Sequence, residues 1–423
     1  MIIGIDGSRA FIKNRTGIEK YSYQVIKNLR DKLNDQRVIL YVKKTNNLQL
    51  TTYNGVVKIN DLELPKSWQI KVIKFPRFWT QIGLSLEMLL HPVDVLFIPA
   101  HTVPIIHPKK TIVVIHGLEY EFCPKAYSSW ERIYMRGTIK KSCQWASSII
   151  AVSNNTKLDL QRLYNVDSKK ISVIYEGYSR GERNFQFPIS NFQSNPNDQI
   201  SKIKTLEIQS KFEIRNSKFL LFIGRIEERK NISNIVKAFE ILKEKYNIPH
   251  KLVLAGKSGF GYQDVKSQMS KVKCCDDIVE LGFVSEDEKW ELLKKADVFV
   301  FPTLYEGFGI PVLEAQSVGC PVVASNNSSI PEVASCHSGL DPESRAKHAG
   351  EGLDSRFHGN DNGYCSALLV DPQNPQDIAE NIFKLISDET LKNAIIQKGL
   401  ENVKRFSWEK CAQEISQILL KKN

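Results

Sequence analysis

The chain has 423 residues but no run approaching the roughly 20 apolar residues of a membrane span. A bilayer-crossing helix is therefore not expected. Its eight cysteines show no paired CxxC spacing, and the neighbours Cys274 and Cys275 do not form a normal bridge, which argues against a disulfide scaffold. The opening Met1-Ile2-Ile3-Gly4-Ile5-Asp6-Gly7 lacks the basic-then-apolar pattern of a secretory leader and reads as a buried strand. These absences point to a reducing cytoplasm. Base-stacking motifs are also lacking, so nucleic acid is not an expected partner.

What is present is an uneven charge. Residues 1–177 carry 26 Lys and Arg against 14 Asp and Glu, a net +12, while the remainder carries 32 against 33, a net −1. The whole excess of the +11 chain lies in the first half, which suits a phosphate-bearing substrate or an anionic membrane surface. A merely solvated basic surface is the plainer alternative.

The first half alternates short buried runs (Ile2–Asp6, Val38–Val42, Val93–Ile98, Thr111–Ile115, Ser148–Val152) with amphipathic stretches such as Ile18–Leu33. A second series follows at Phe219–Ile223, Lys251–Ala255, Ile278–Leu281, Val298–Phe301 and Pro321–Ala324. Strands alternating with helices predict parallel sheets covered on both faces, here two doubly wound α/β domains with a ligand crevice between them. The expected divisions are 1–177, a polar linker at 178–217, 218–402 and a last helix within 403–423 capped by Ser407. Thr16 and Glu19 predict a capping box before the first helix, and Ser153 a cap after the strand at 148–152.

Ser335–Asn362 breaks this rhythm. It is rich in Gly, Asp, Ser, His and Arg, and Gly339–Arg345 is echoed by Gly352–Arg356. We read it as an inserted surface loop, which resembles peptides encoded by mobile palindromic repeats and lengthens the chain at little free-energy cost. A zinc set drawn from Cys336, His337, His348, His358 and Cys365 has no standard ligand spacing, and no metal is expected.

The chemistry concentrates in Tyr305-Glu306-Gly307-Phe308-Gly309-Ile310-Pro311-Val312-Leu313-Glu314. Pro311 suits the first turn of a helix. The amides of Phe308, Gly309 and Ile310 would then face an anion, with the positive end of the helix dipole behind them. Glu306 beside that cradle and Glu314 one turn into the helix suit the hydroxyls of a sugar and a ribose rather than the phosphate itself. Upstream, Arg225 ends a strand and Lys230 follows five residues later, a pair able to converge on one anion. Gly256 at another strand end would allow close ligand approach. In the first half, His116 ends a strand and can reach a sugar hydroxyl or packs as an ordinary histidine; His101 has a weaker claim, and Asp6 reads as a turn residue. Gly17 sits where a helix N-terminus could approach an anion. Two segments, Lys66–His91 and Lys125–Trp145, interleave basic and aromatic residues as a membrane interface would, although domain packing explains the aromatics equally well.

Taken together, the Glu-x7-Glu pair Glu306 and Glu314, Gly224-Arg225 with Lys230-Asn231, Gly319–Ser325, Ser329–Val333, Leu368–Pro372 and Phe406-Ser407-Trp408 resemble the family-4 retaining glycosyltransferases of the GT-B fold. The resemblance implies two Rossmann-like domains facing across a cleft, with the last helix crossing back to the first. It implies that Arg225 and Lys230 bind the diphosphate of a nucleotide-sugar, that Glu314 takes the ribose, and that Glu306 with the backbone of Phe308–Ile310 holds the donor sugar. Gly17 would approach the diphosphate and His116 the sugar. It implies a metal-independent hexosyltransferase with no cofactor beyond its donor substrate, GDP-mannose being the expected donor. The acceptor would be a polysaccharide or lipopolysaccharide precursor, glycan or lipid-linked, used at the inner face of the membrane. Many relatives carry a second glycine near Gly17 and an Asp after the histidine, where this chain has Glu19 and Gly117. An inactive copy that binds a nucleotide-sugar, or a nucleotide-sugar epimerase, are the competing readings.

Overall fold

The computed structural model describes residues 1–12, 15–45, 48–53, 56–75, 78–179, 217–334 and 365–421. Most of the proposed linker and insertion lie outside these residues. The chain divides into two compact units. The first is Met1–Pro124, Ser128–Tyr178 and Phe406–Asn423; the second is Lys125–Tyr127 and Ser179–Arg405.

The first unit contains β1 (Ile2–Asp6), α1 (Gly17–Lys32), β2 (Arg37–Lys43), β3 (Leu50–Tyr53), β4 (Val56–Ile59), β5 (Leu62–Glu63) and β6 (Trp68–Ile73). A π-helical turn at Trp79–Leu84 runs into α2 (Ser85–Leu90). Then come β7 (Val95–Ile98), β8 (Lys110–Ile115), α3 (Glu119–Phe122), α4 (Ser129–Trp145), β9 (Ser148–Ala151), α5 (Asn154–Tyr164) and β10 (Ile171–Val173). Seven strands form a parallel sheet in the order β10-β9-β8-β7-β1-β2-β6. Its central strands are buried nearly throughout, as Val/Ile-rich strands covered on both faces must be. β3, β4 and β5 make a separate antiparallel meander.

The second unit repeats the architecture with β11 (Phe219–Ile223), α6 (Ile232–Tyr246), β12 (Lys251–Ala255), α7 (Tyr262–Met269), β13 (Ile278–Gly282), α8 (Glu286–Lys295) and β14 (Val298–Phe301). After these come α9 (Ile310–Ser317), β15 (Val322–Ser325), α10 (Ile330–Ala334), β16 (Leu368–Val370), α11 (Pro375–Ser387) and α12 (Glu389–Asn402). The six strands are parallel in the order β13-β12-β11-β14-β15-β16. The final helix, α13 (Trp408–Leu420), belongs to the first unit and packs on α1. There the Trp408 ring lies 5.8 Å from Tyr21, and Lys110 Nζ donates to Leu419 O at 2.9 Å. The crossing requires a glycine, because a Cβ on Gly177 would fall 2.2 Å from Trp408 N.

Three sequence expectations change. The Thr16 hydroxyl does not cap α1; it donates to Glu19 Oε2 at 2.5 Å, since a carboxylate is the strongest acceptor within reach. The true capping boxes are Ser128 with Glu131 and Ser285 with Glu288, while Ser153 and Ser407 cap as expected. The segment Lys66–His91 is not a single interface. Trp68–Ile73 is the edge strand β6, where the Trp68 indole donates to Leu33 O at 3.2 Å; Trp79 is also buried and donates to Ile73 O at 3.3 Å. Gly256 is a glycine for a reason internal to the fold. At φ +155° it closes on the neighbouring strand end, and a Cβ would sit 1.7 Å from Gly224 O.

Candidate functional site

In an open parallel sheet, ligands bind beyond the strand carboxyl ends where strand order reverses. In the second unit that point lies between β11 and β14, because β12 flanks β11 on one side and β14 on the other. The residues singled out from sequence sit there. Arg225 follows β11 with its side chain exposed, 4.0 Å from Glu227, and Gly259 leaves room for its stem, since a Cβ there would meet Arg225 Cδ at 2.7 Å. Lys230 ends a short 3-10 turn, Glu228–Lys230, and is buried. Its ammonium donates to Glu306 Oε1 and lies 5.1 Å from the centre of the Phe301 ring. Burial holds Lys230 below the ordinary lysine value, against the opposing pull of Glu306.

Arg229, which sequence reasoning passed over, completes this cluster. Its guanidinium donates to Glu227 Oε1 at 2.8 Å and to Tyr305 O at 3.3 Å, and lies 3.7 Å from Glu306 Oε1. Glu306 is thus held between two cations. In the sequence Arg229 looks like an ordinary surface cation; only the fold, by bringing Glu306 to this turn, pairs it. Asn231 then adopts the left-handed conformation at φ 61°, which Asn tolerates better than most residues. Its amide donates to Pro302 O at 2.9 Å and Pro372 O at 2.6 Å.

The loop carrying Glu306 is fixed by two serines. Glu306 N donates to Ser328 Oγ at 3.1 Å, and the Ser329 hydroxyl reaches the carbonyls of Glu306 and Phe308 at 2.9 and 2.7 Å. Gly309, at φ +113°, is the residue before α9, and a Cβ would strike Ile330 Cδ1 at 2.7 Å. Helix α9 starts at Ile310 with Pro311 in its first turn, as predicted. Glu314, buried one turn in, does not join Glu306. Its Oε1 accepts from Lys289 Nζ at 2.8 Å, and Lys289 also donates to Glu286 Oε2 at 2.9 Å. Lys289 was likewise missed; its place at the fourth position of a surface-looking helix hides a buried side chain.

The structure therefore joins Lys230 to Glu306 and leaves Arg225 and Glu314 with other partners. The arrangement brings Arg225, Arg229 and Lys230 together with Glu227 and Glu306 at a sheet switch point, beside a helix N-terminus. Such a site can take a charged phosphate group and hydroxyl-bearing groups attached to it.

In the first unit, His116 follows β8, with Gly117 beyond it at φ +146°. Nδ1 lies 3.0 Å from Glu176 Oε1 and Nε2 lies 2.9 Å from Pro99 O, so both ring nitrogens are engaged by acceptors of the protein. Contact with a sugar requires one of them to be released. The Tyr21 ring packs edge-on at 4.5 Å and the His101 ring at 5.3 Å. Burial, with smaller effects of His116 and Arg9, holds His101 neutral well below the ordinary histidine range. Asp6 accepts from Ser8 N at 2.9 Å, as a turn residue does. Gly17 opens α1, and a Cβ there would meet no atom within 4 Å. Among the described residues, no group of three or more His, Cys, Asp or Glu side chains is placed to hold a metal ion. Of the zinc set read from sequence, only Cys365 lies among the described residues.

Comparison with known proteins agrees with this geometry. The profile described as "Glycosyltransferase Family 4" matches residues 15–180, and that described as "Glycosyl transferases group 1" matches residues 204–355. The chain is 26% identical over 309 residues to O-antigen chain mannosyltransferase B of Escherichia coli, covering 72% of this chain and 69% of that protein. Sucrose-phosphate synthase from Thermosynechococcus elongatus has a similar structure (TM-score 0.65, 15% identity, 99% of this chain and 98% of that one). Anabaena HepE, solved in complex with UDP-glucose, is also similar (TM-score 0.62, 16% identity, 99% of each chain). With its parallel switch-point sheets and both halves matched, the chain belongs to the glycosyltransferases, combining a family-4 first half with a group-1 second half.

Proposed function

We propose that the protein is a retaining hexosyltransferase that moves mannose from GDP-mannose to a polysaccharide or lipopolysaccharide precursor. The observation that carries this reading is the buried Lys230–Glu306 pair at the β11–β14 switch point, with exposed Arg225 beside it. Similarity to the O-antigen mannosyltransferase supports the choice of sugar and acceptor.

In this reading Arg225 and Lys230 take the diphosphate, and Arg229 shares the charge. Glu306 and the backbone of Phe308, Gly309 and Ile310 hold the donor sugar, and Glu314 takes the ribose hydroxyls. Gly17 and His116 are assigned to diphosphate and sugar respectively. An acceptor hydroxyl attacks the anomeric carbon as its bond to the diphosphate oxygen breaks. The acceptor proton passes to a leaving phosphate oxygen on the same face, so configuration is retained without a protein nucleophile. Negative charge growing on the leaving group falls on Arg225, Lys230 and the start of α9, which offers stabilisation that does not call on a metal. The reaction is placed at the cytoplasmic side of a membrane, with peripheral contact to its anionic surface.

The test is to incubate the purified protein with UDP-, GDP- and ADP-sugars and a membrane-lipid extract, and to follow nucleoside diphosphate release by mass spectrometry. Extract-dependent GDP release from GDP-mannose alone is expected. Release from another donor would overturn the sugar assignment. Tight donor binding with no release would favour a binding protein without turnover.

A further inference from the structure

Large apolar side chains are exposed very unevenly. Among the described residues, the second unit exposes Phe260 and Phe283, whereas the first unit exposes a clustered set. The π-helical turn and α2 present Ile82, Leu86, Leu89 and Leu90, spaced so that they share one helix face, while Leu84 and Met88 fill the opposite, buried face. Just before them Phe78 is 64% exposed and held at φ 53°, a conformation that bulky residues rarely adopt. Ile105 and Ile106 extend the patch, because Ile106 N donates to Ser85 Oγ at 3.3 Å and Gln81 Nε2 to Val103 O at 3.3 Å. Val103 N also donates to Ser142 Oγ at 2.9 Å, which ties the same loop to α4. Right-handed crossovers place α2 and α4 on one face of the sheet. On α4, Trp130, Ile133 and Tyr134 are exposed on one side, followed by exposed Lys140 and Lys141.

We propose that this face, formed by the π-helical turn, α2, the loop 103–107 and α4, docks the first unit on an anionic bilayer. It deepens the membrane contact of the proposed function and rests on that reading for its biological setting. Charge selects the occupant. Residues 1–177 carry a net +12, Lys74, Lys109, Lys140 and Lys141 are exposed, and the nearby Glu87 is already paired by Lys71 at 3.5 Å and His91 at 3.3 Å. A second copy would set like charge against like charge, whereas anionic lipid complements it. Leu, Ile and Phe for the acyl boundary, Trp and Tyr for the headgroup level and Lys beside them suit a helix lying in the interface rather than crossing it. No described helix is long and apolar enough to cross a membrane.

The experiment is co-sedimentation of the full chain with phosphatidylcholine vesicles, with and without phosphatidylglycerol. The unmodified protein is expected to bind the anionic vesicles and to be released by salt. Leu86→Glu combined with Leu90→Glu, both at exposed positions, lowers binding by on the order of tenfold or more. Lys140→Glu with Lys141→Glu lowers it roughly tenfold and removes the preference for anionic lipid. Affinity for the nucleotide-sugar stays unchanged in both variants, so a failed donor assignment and a failed docking surface give different results. Equal vesicle binding by the leucine variant, or no binding by the unmodified protein, overturns the proposal. So does a dimer in light scattering that Leu86→Glu converts to monomer, which would make the face an interface between copies.

Discussion

The two units share one sheet design and use it differently. In the second, charge is drawn inward: Lys230, Glu306, Glu314 and Lys289 are buried and paired, and the described residues expose few large apolar groups. In the first, the strand-end polar residues His116 and Glu176 are satisfied by one another, and the notable features lie on the outer helices. A fold of this kind supplies positions, and each unit spends its unusual residues on different ones.

The sharpest way to test the contrast is to remove inward charge. Glu306→Gln is expected to lower transfer by at least about a hundredfold and to destabilise the second unit by about 3–5 kcal/mol, because Lys230 stays buried without its counter-charge. Adding Lys230→Met should restore the melting temperature but not the rate. Full activity in Glu306→Gln would remove that residue from the site.

Lys230 also gives a pH signature. Since burial lowers its proton affinity, it loses its charge at a lower pH than an exposed lysine, and donor affinity falls as pH rises through that lowered value. Stability moves the other way. Between the lowered folded value and the ordinary unfolded one the unfolded chain binds more protons, so stability rises with pH there. Titration of donor binding in Lys230→Arg, which stays charged, should flatten the alkaline limb; an unchanged limb assigns it to another group.

A smaller effect is expected at Lys289, which positions Glu314. Lys289→Met should raise the donor KM about tenfold with kcat nearly unchanged, the pattern of lost ground-state binding. Equal loss in kcat would mean that Lys289 acts in the transition state. The smallest comparison lies within the first unit. Ser128→Ala removes a working cap and costs about 1 kcal/mol, whereas Thr16→Ala, at a helix start without one, shifts chemical denaturation by less than about 0.5 kcal/mol.

How legible this was in the sequence depended on the signal. Buried parallel strands such as Ile2–Asp6 and Val298–Phe301 are continuous apolar runs and were read at their observed bounds. β6 was not, because Lys71 and Trp68 suggested an interface; at a sheet edge a lysine is tolerated and even useful. The meander β3–β5 was overlooked although Asn54-Gly55, a hairpin signal, stands between its first two strands. At the site, Glu306, Glu314, Arg225 and Lys230 were visible as a pattern of chemistry. Their partners were not, since Arg229 and Lys289 look like ordinary surface cations until the fold buries or pairs them. The interface expected over Lys66–His91 rested on basic and aromatic residues and not on the aliphatic stripe of α2, because Ile82, Leu86 and Leu89 look like core residues until the helix is seen from outside.

Asn231 has a consequence for how the protein comes into being. Its single amide joins backbone carbonyls 71 and 141 residues further along the chain. A growing polypeptide emerging from the ribosome cannot close this junction until Pro372 has been made. The loop carrying Glu306 therefore gains its final anchor only when nearly the whole second unit exists, and an abortive fragment ending before that point lacks the fastening that holds its charged residues in register.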